Sequence, residues 1–302
     1  MAVDLVSVII PAFNAVELID EQLEALAGQD YTGRFEVLVS DNGSTDGLAS
    51  HLAAHRLASR LDLRRVDSSG RRGCAHARNV ALEHSRGDFI AFCDADDRVH
   101  PGWLTALASA AAEFDAVGGG VETTSLNSPL VASWRIMPEP EERFGGTTFL
   151  PYAIGCNLAA WRYVFDKVGG FDEALVDGGE DVEMSWRIQF AGFTLGHSPD
   201  ALVAYRCRPT LRGTWRQQRG YGLSSVQLDQ IFAAAGKPTP GAKWYLTVVA
   251  AIVLLNPLVP QRISGMPRGR WVAQVGFLAG RLRGLARYRR GAPGRDAQGQ
   301  RR

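Results

Sequence analysis

Three acidic groupings stand where chemistry could be done. FEVLVSDNGSTD sets Asp41 after an apolar run, FIAFCDADD sets Asp94, Asp96 and Asp97 after another, and GGEDVEMSWRI carries Glu180 and Asp181 side by side. A single Asp after a strand is ordinary turn or capping chemistry. Three closely spaced carboxylates are different, because they repel one another unless a cation or hydrogen-bond donors compensate them. Divalent Mg or Mn takes carboxylate oxygens and usually keeps water, so Asp94-Ala95-Asp96 can supply the protein side of an open metal site. Glu180 and Asp181 fall in the first turn of a predicted helix, where the dipole favours acids even if capping is all they do.

The elements that must position these groups read clearly. Val6 to Ile10, Phe35 to Val39, Phe89 to Cys93 and Ala116 to Gly119 are short, β-branched and apolar, and stop at Pro, Asp or Gly, as buried strands do. Between and after them the pattern predicts helices over Glu17 to Ala27, Ala75 to His84, Trp161 to Val168 and about Glu180 to Ala191. Alternating strand and helix implies a largely parallel sheet with helices on both faces, and ligands gather at the carboxyl ends of its strands. Asp41 and the Asp94 cluster are therefore expected on one sheet edge. The stretch after Val121 is rich in turn residues and reads as a long loop to about residue 150.

Composition sets the outer limits. Of 302 residues, 46% are hydrophobic and 22% charged, which excludes a disordered, collagenous or coiled-coil chain. The net charge of +1 hides a division: residues 206–302 hold 18 Lys/Arg against 2 Asp/Glu, and the rest of the chain is correspondingly acidic. Cys74, Cys93, Cys156 and Cys207 are scattered, without a C-x-x-C pair or clustered histidines, so neither a disulfide framework nor a zinc site is expected and a cytoplasmic compartment is the default. The N-terminal run lacks the basic segment of a secretory signal.

The last hundred residues change character. Leu211 to Ala235 predicts a helix, Lys237 to Gly241 breaks it, and the uncharged run from Trp244 to Pro260, interrupted at Asn256-Pro257, is short for a membrane span. That run is expected to be re-entrant, interfacial or packed on another helix. Arg268 to Arg290 mixes apolar residues with arginines as a basic amphipathic helix of the membrane-surface type does, the alternative being a helix docked on the rest of the protein. Residues 291–302 are expected to be a disordered tail.

The ordered motifs VSVIIPAFN, VLVSDNGSTDG, GCAHARNVALEHSRGDFIAFCDADD, GGFDE and GGEDVEMSWRI resemble those of glycosyltransferase family 2, over about Val6 to Gly222. The resemblance implies a GT-A (Rossmann-like) α/β fold with a mostly parallel sheet flanked by helices, extended here by a helical, membrane-associated C-terminal region. It divides the chain into a transferase domain at 1–222, with a nucleotide-sugar half at 1–120 and an acceptor half at 121–222, then a basic helical region at 223–290. Pro11, Ala12, Asn14 and Asp41 match the positions that bind base and ribose, a carboxylate being able to accept a base N–H. Arg78 matches an arginine near the nucleotide, although an exposed helix Arg is the alternative. Asp94, Ala95 and Asp96 match the D-x-D segment, Asp94 at ribose or metal and Asp96 as the main metal ligand, with Asp97 and Arg219 as weaker candidates.

The Glu180-Asp181 pair looks like the family's acceptor-side acids, with Asp181 the general base and Glu180 supporting it. Inverting transfer is what the resemblance implies, to a saccharide or lipid-linked acceptor at the cytoplasmic membrane face. The chain departs from processive members: Arg216-Gln217-Gln218-Arg219-Gly220 lacks the Trp of their Q-x-x-R-W motif, which argues for non-processive transfer. A later histidine metal ligand is also missing, the last histidine being His197, and His76, His84 and His197 are expected to be structural. A polyprenyl-phosphate sugar synthase is an alternative, and a non-catalytic nucleotide-binding or membrane scaffold is another. No G-x-G-x-x-G follows the first strand, which disfavours a dinucleotide enzyme, and no recognition motif accompanies the basic tail, so nucleic acid is not an expected partner.

Overall fold

The computed structural model describes residues 2–145, 149–288 and 291, so most of the expected tail lies outside the described residues. The chain divides into two compact units, one comprising Met1–Glu122, Pro138–Val176 and Glu180–Tyr205, the other Thr123–Met137, Asp177–Gly179 and Arg206–Arg302.

In the first unit, β1 (Leu5–Ala12), α1 (Ile19–Ala27), β2 (Arg34–Asp41), α2 (Leu48–Ala53), β3 (Leu63–Asp67), α3 (Cys74–His84), β4 (Phe89–Phe92), β5 (Arg98–Val99), α4 (Trp103–Ala110) and β6 (Ala116–Glu122) follow in turn. After α5 (Pro129–Ala132), which belongs to the second unit, come β7 (Phe144–Gly145), β8 (Pro151–Tyr152), β9 (Leu158–Trp161), α6 (Arg162–Val168), α7 (Glu180–Phe190) and β10 (Leu195–Ala204). The main sheet runs β3-β2-β1-β4-β9-β6-β10-β5. It is parallel across β3, β2, β1 and β4 and between β6 and β10; β9 runs antiparallel between β4 and β6, and β5 closes the edge antiparallel to β10. β1 and β4 are buried almost throughout, which is why they read as continuous apolar runs rather than alternating ones.

Two features were not legible in the strand pattern. β3 and β10 carry too many polar residues to register as buried strands. The loop after β6 contains α5, a single turn begun by Pro129 and capped by Ser128, whose Oγ accepts from the Val131 N–H at 3.3 Å. Asn157, fully buried, satisfies the irregular pairing between β6 and β10: its amide donates to the Gly120 and Ala201 carbonyls at 2.8 and 2.7 Å, and its oxygen accepts from Trp103 Nε1 at 2.8 Å.

The second unit is helical: α8 (Leu211–Ile231), α9 (Ala242–Leu254), α10 (Gln261–Ser264) and α11 (Arg268–Arg287). Thr210 caps α8 by accepting from the Gly213 N–H at 3.1 Å. α11 packs on α8 through its glycines, while Leu282 and Leu285 stay exposed. Its buried residues are Gly269, which faces Trp134, and Gly276, Gly280, Arg281 and Gly284, the last three glycines being laid against α8. A Cβ on Gly280 would sit 2.1 Å from the Arg219 carbonyl oxygen, and one on Gly222 of α8 only 2.0 Å from that of Phe277. The two backbones touch. α9, by contrast, has no buried residue. Among the described residues no helix is long and apolar enough to cross a membrane.

Candidate active site

Because β1, β2 and β4 are parallel, their exits share one sheet edge, and the expected residues meet there. Pro11, Ala12, Phe13, Asn42, Arg72 and Gly73 line a cleft of about 280 Å³. Asp41 is buried beside it; Oδ1 accepts from the Ser44 N–H at 2.9 Å and Oδ2 from Arg65 Nε at 2.9 Å. Burial alone would raise its carboxyl, but Ser44 and Arg65 outweigh burial and hold it below the ordinary carboxylate range. Asn14 adopts a left-handed φ of 51° and accepts from the Thr45 N–H at 2.8 Å, so it braces the loop at the rim. Asn42, which sequence reading passed over, ties the end of β2 to the next loop: its amide donates to the Ser68 and Arg71 carbonyls at 2.6 and 2.8 Å, and its oxygen accepts from the Gly73 N–H at 2.9 Å. Phe13, 48% exposed, lies under the Arg72 guanidinium at 5.3 Å. An exposed aromatic at a strand exit was the available signal for it.

Arg78 organises the acidic half. It is 2% exposed, which excludes the solvent-exposed helix reading. Its guanidinium donates to Asp94 Oδ1 at 3.0 Å and to Glu180 Oε1 at 2.8 Å, joining the exit of β4 to the start of α7. Gly155 makes room for it, since a Cβ there would stand 2.5 Å from a guanidinium nitrogen. The same glycine donates its N–H to Asp181 Oδ2 at 2.8 Å, while the Val182 N–H reaches Oδ1 at 2.8 Å, fixing the orientation of Asp181. Burial, with the charge of Asp181 beside it, pushes Glu180 up to about 7 against the opposing pull of Arg78.

The D-A-D-D segment is anchored from α1, where Gln22 donates to the Asp94 carbonyl at 3.2 Å and accepts from the Val99 N–H at 2.9 Å. Asp94 and Asp96 are half-buried, Ala95 and Asp97 buried. Ligand atoms of Asp94, Asp97 and Cys156 lie within 4.8 Å of one another, so the fold adds a sulfur that the sequence gave no reason to place there. Arg219 is exposed on α8 in the second unit.

The histidines take structural partners. His76 meets Glu173 at 3.1 Å, His84 donates to the Val80 carbonyl at 2.8 Å, and His197 donates to that of Pro140 at 2.7 Å. The expectation of no clustered histidines is corrected, since His51 and His55 flank Asp20 at 2.5 and 3.2 Å. They are four residues apart and share a face that sequence spacing alone did not tie to Asp20. The Leu57 N–H donates to His55 Nδ1 at 3.3 Å, which leaves the proton on Nε2, the nitrogen facing Asp20. In that tautomer the cluster is a hydrogen-bonded brace between α1 and α2.

Comparisons with known proteins give the family and the fold. The profile described as Glycosyl transferase family 2 matches residues 7–169. Glycosyltransferase AglE of Haloferax volcanii is 32% identical over 249 residues, 76% of this chain and 78% of that protein. Pre-mycofactocin glycosyltransferase of Mycobacterium tuberculosis is 29% identical over 245 residues, 74% of this chain but only 47% of its relative's length. Among solved structures, the mannosyltransferase PcManGT from Pyrobaculum calidifontis, in complex with GDP-Man and Mn2+, superposes with a TM-score of 0.62 at 23% identity, covering 94% of this chain and 88% of that one. TarS 1-349 of S. aureus in complex with UDP gives 0.54 at 19%, covering 96% and 93%. The chain belongs to glycosyl transferase family 2: it is a glycosyltransferase of GT-A fold that moves a sugar from a nucleotide-sugar donor.

Proposed function

We propose that the protein is an inverting, non-processive transferase whose donor lies along the exits of β1, β2 and β4 and whose acceptor is a saccharide or lipid-linked hydroxyl at the cytoplasmic membrane face. The observation that carries this reading is Arg78, a single buried cation bonded to both Asp94 and Glu180, which ties the donor-side acids to the acceptor-side acids. In this reading residues 1–120 supply the donor half, 121–222 the acceptor half, and 223–290 the membrane-associated region.

Pro11, Ala12, Asn14 and Asp41 frame the base and ribose. Asp94 and Asp96 present hard oxygens and keep partial solvent access, which suits a Mg or Mn ion that retains open positions for phosphate and water. PcManGT, solved with GDP-Man and Mn2+, and TarS, solved with UDP, support a nucleoside diphosphate donor and a divalent cation for this chain. Such an ion neutralises charge growing on the leaving diphosphate. Asp181, oriented by the Gly155 and Val182 amides, takes the acceptor proton as its oxygen attacks the anomeric carbon. A single base with no covalent nucleophile inverts that carbon. Glu180 supports it through Arg78.

Paired substitutions test the assignment. Asp96→Asn is expected to abolish transfer and Mn-dependent nucleotide binding, measured by calorimetry with a panel of UDP-, GDP- and dTDP-sugars. Asp181→Asn should leave nucleotide binding intact and lower turnover about 10²–10⁴-fold, the usual worth of a general base. Loss of nucleotide binding in Asp181→Asn would move that residue into the donor site.

A further inference from the structure

The second unit carries an apolar surface that its own helices leave uncovered. One side of α9 leans toward α11: Trp271 Nε1 donates to the Ile252 carbonyl at 2.8 Å, and Arg281 Nε donates to the Tyr245 hydroxyl at 3.2 Å. The other side presents Leu246 and Val253, 71% and 60% exposed, and the surface continues past the Asn256-Pro257 break to Leu258 and Ile263, 92% and 79% exposed. A helix that is apolar all round belongs in a core or in lipid. This one has protein on one side only. A contiguous exposed apolar surface of this kind marks an interaction site rather than ordinary solvent contact.

What surrounds it names the occupant. Lys243 stands exposed at the start of α9, and Arg262 and Arg268 stand exposed beyond its end. Asp229 is the sole acid of the described residues from 206 onward, and it is buried against Arg281, so the rim presents positive charge alone. A two-fold contact between copies would set this basic rim against itself, which disfavours a dimer. Anionic headgroups complement it. At about 1.5 Å per residue α9 is about 20 Å long, short of the roughly 30 Å hydrocarbon core, so insertion must be shallow.

We propose that α9, the turn at Asn256-Pro257 and α10 lie within the interfacial layer of an anionic phospholipid membrane, apolar face in acyl chains and Lys243, Arg262 and Arg268 at the phosphates. This rests on the membrane reading above and assigns its contact to α9 and α10 instead of α11, whose buried line is committed to α8. The apolar contribution is insensitive to salt and the basic one is screened.

Flotation of the full chain with vesicles of phosphatidylcholine and phosphatidylglycerol tests it. Wild-type protein should float, less strongly but still measurably in high salt, and poorly with phosphatidylcholine alone. Leu258→Asp with Ile263→Asp should lower partitioning about tenfold or more, because exposed side chains are changed and only the apolar contact is lost. An unchanged nucleotide-induced thermal shift would show that the fold is kept. Flotation of the double variant at the wild-type level, with loss instead in Arg283→Glu plus Arg287→Glu, would overturn the assignment and leave the membrane reading standing. No flotation of the wild type would sink both. A wild-type dimer that the Asp variants dissociate, without vesicle binding, would make the face a self-association surface and overturn the proposal.

Discussion

Arg78 in the first unit and Arg281 in the second are both buried, and they are used in opposite ways. Arg281 is saturated from within: Nε reaches the Tyr245 hydroxyl, one terminal nitrogen reaches Ser225 Oγ at 2.8 Å, the other reaches Asp229 at 2.6 Å, and the rings of Trp244 and Tyr245 lie at 5.5 and 5.9 Å. Asp229 is also held by Lys237. Arg78 is as deeply buried, yet its Nε has no hydrogen-bond partner, and its acceptor Asp94 keeps 30% of its side chain exposed. A buried cation whose bonds all close among protein groups fastens helices together. One with an unpaired Nε and a carboxylate partner that keeps solvent access leaves bonding capacity unused within the fold.

The sharpest way to break this contrast is to remove each cation. Arg78→Met should cost about 3–5 kcal/mol, since it strands buried Glu180, and Arg281→Met less, since Lys237 still pairs Asp229. Denaturant unfolding would read that cost, and only Arg78→Met should then lose nucleotide binding in its folded fraction. Loss of nucleotide binding in folded Arg281→Met would collapse the distinction. A smaller effect is expected at the glycines. Gly155→Ala forces a methyl into the Arg78 guanidinium and Gly280→Ala forces one into a backbone carbonyl, each costing about 1–3 kcal/mol as overpacking. Transfer by folded Gly155→Ala should fall, while folded Gly280→Ala should keep wild-type kinetics.

A further prediction is a pH slope. Glu180 binds its proton more tightly folded than unfolded, its value rising from 4.5 to about 7. The folded state therefore holds the extra proton across that window, and stability should decline as pH rises from about 4.5 to about 7. Glu180→Gln should flatten that part of the profile, measured as unfolding midpoint against pH. An equal slope in both proteins would assign the linkage to another group.

Much of the proposed donor side was legible because it is written in contiguous runs. Strand exits at Pro11, Asp41 and Asp94 follow directly from apolar runs that stop at polar residues, and parallel pairing then places them together. The proposed acceptor side was legible only as motifs. That Arg78 reaches Glu180 across 102 residues of chain, or that Gly155 exists to admit its guanidinium, depends on tertiary approach and leaves no local period. The α8–α11 contact was hidden for a related reason. The sequence pattern drew attention to the arginines and leucines of α11, whereas its packing surface is defined by what is missing, the side chains of Gly276, Gly280 and Gly284.

The bare contact of α8 with α11 also settles which medium the pair can live in. Hydrophobic association weakens when the surrounding solvent is itself oily, whereas backbones in direct contact are held by dispersion and close Cα–H to carbonyl approach, which lipid does not compete away. A scaffold joined through Gly222 and Gly280 keeps its adhesion on either side of a water–lipid boundary. The joint between the two helices is thus indifferent to solvent even though their arginine-bearing outer faces are not, and it forms a rigid spine beside α9.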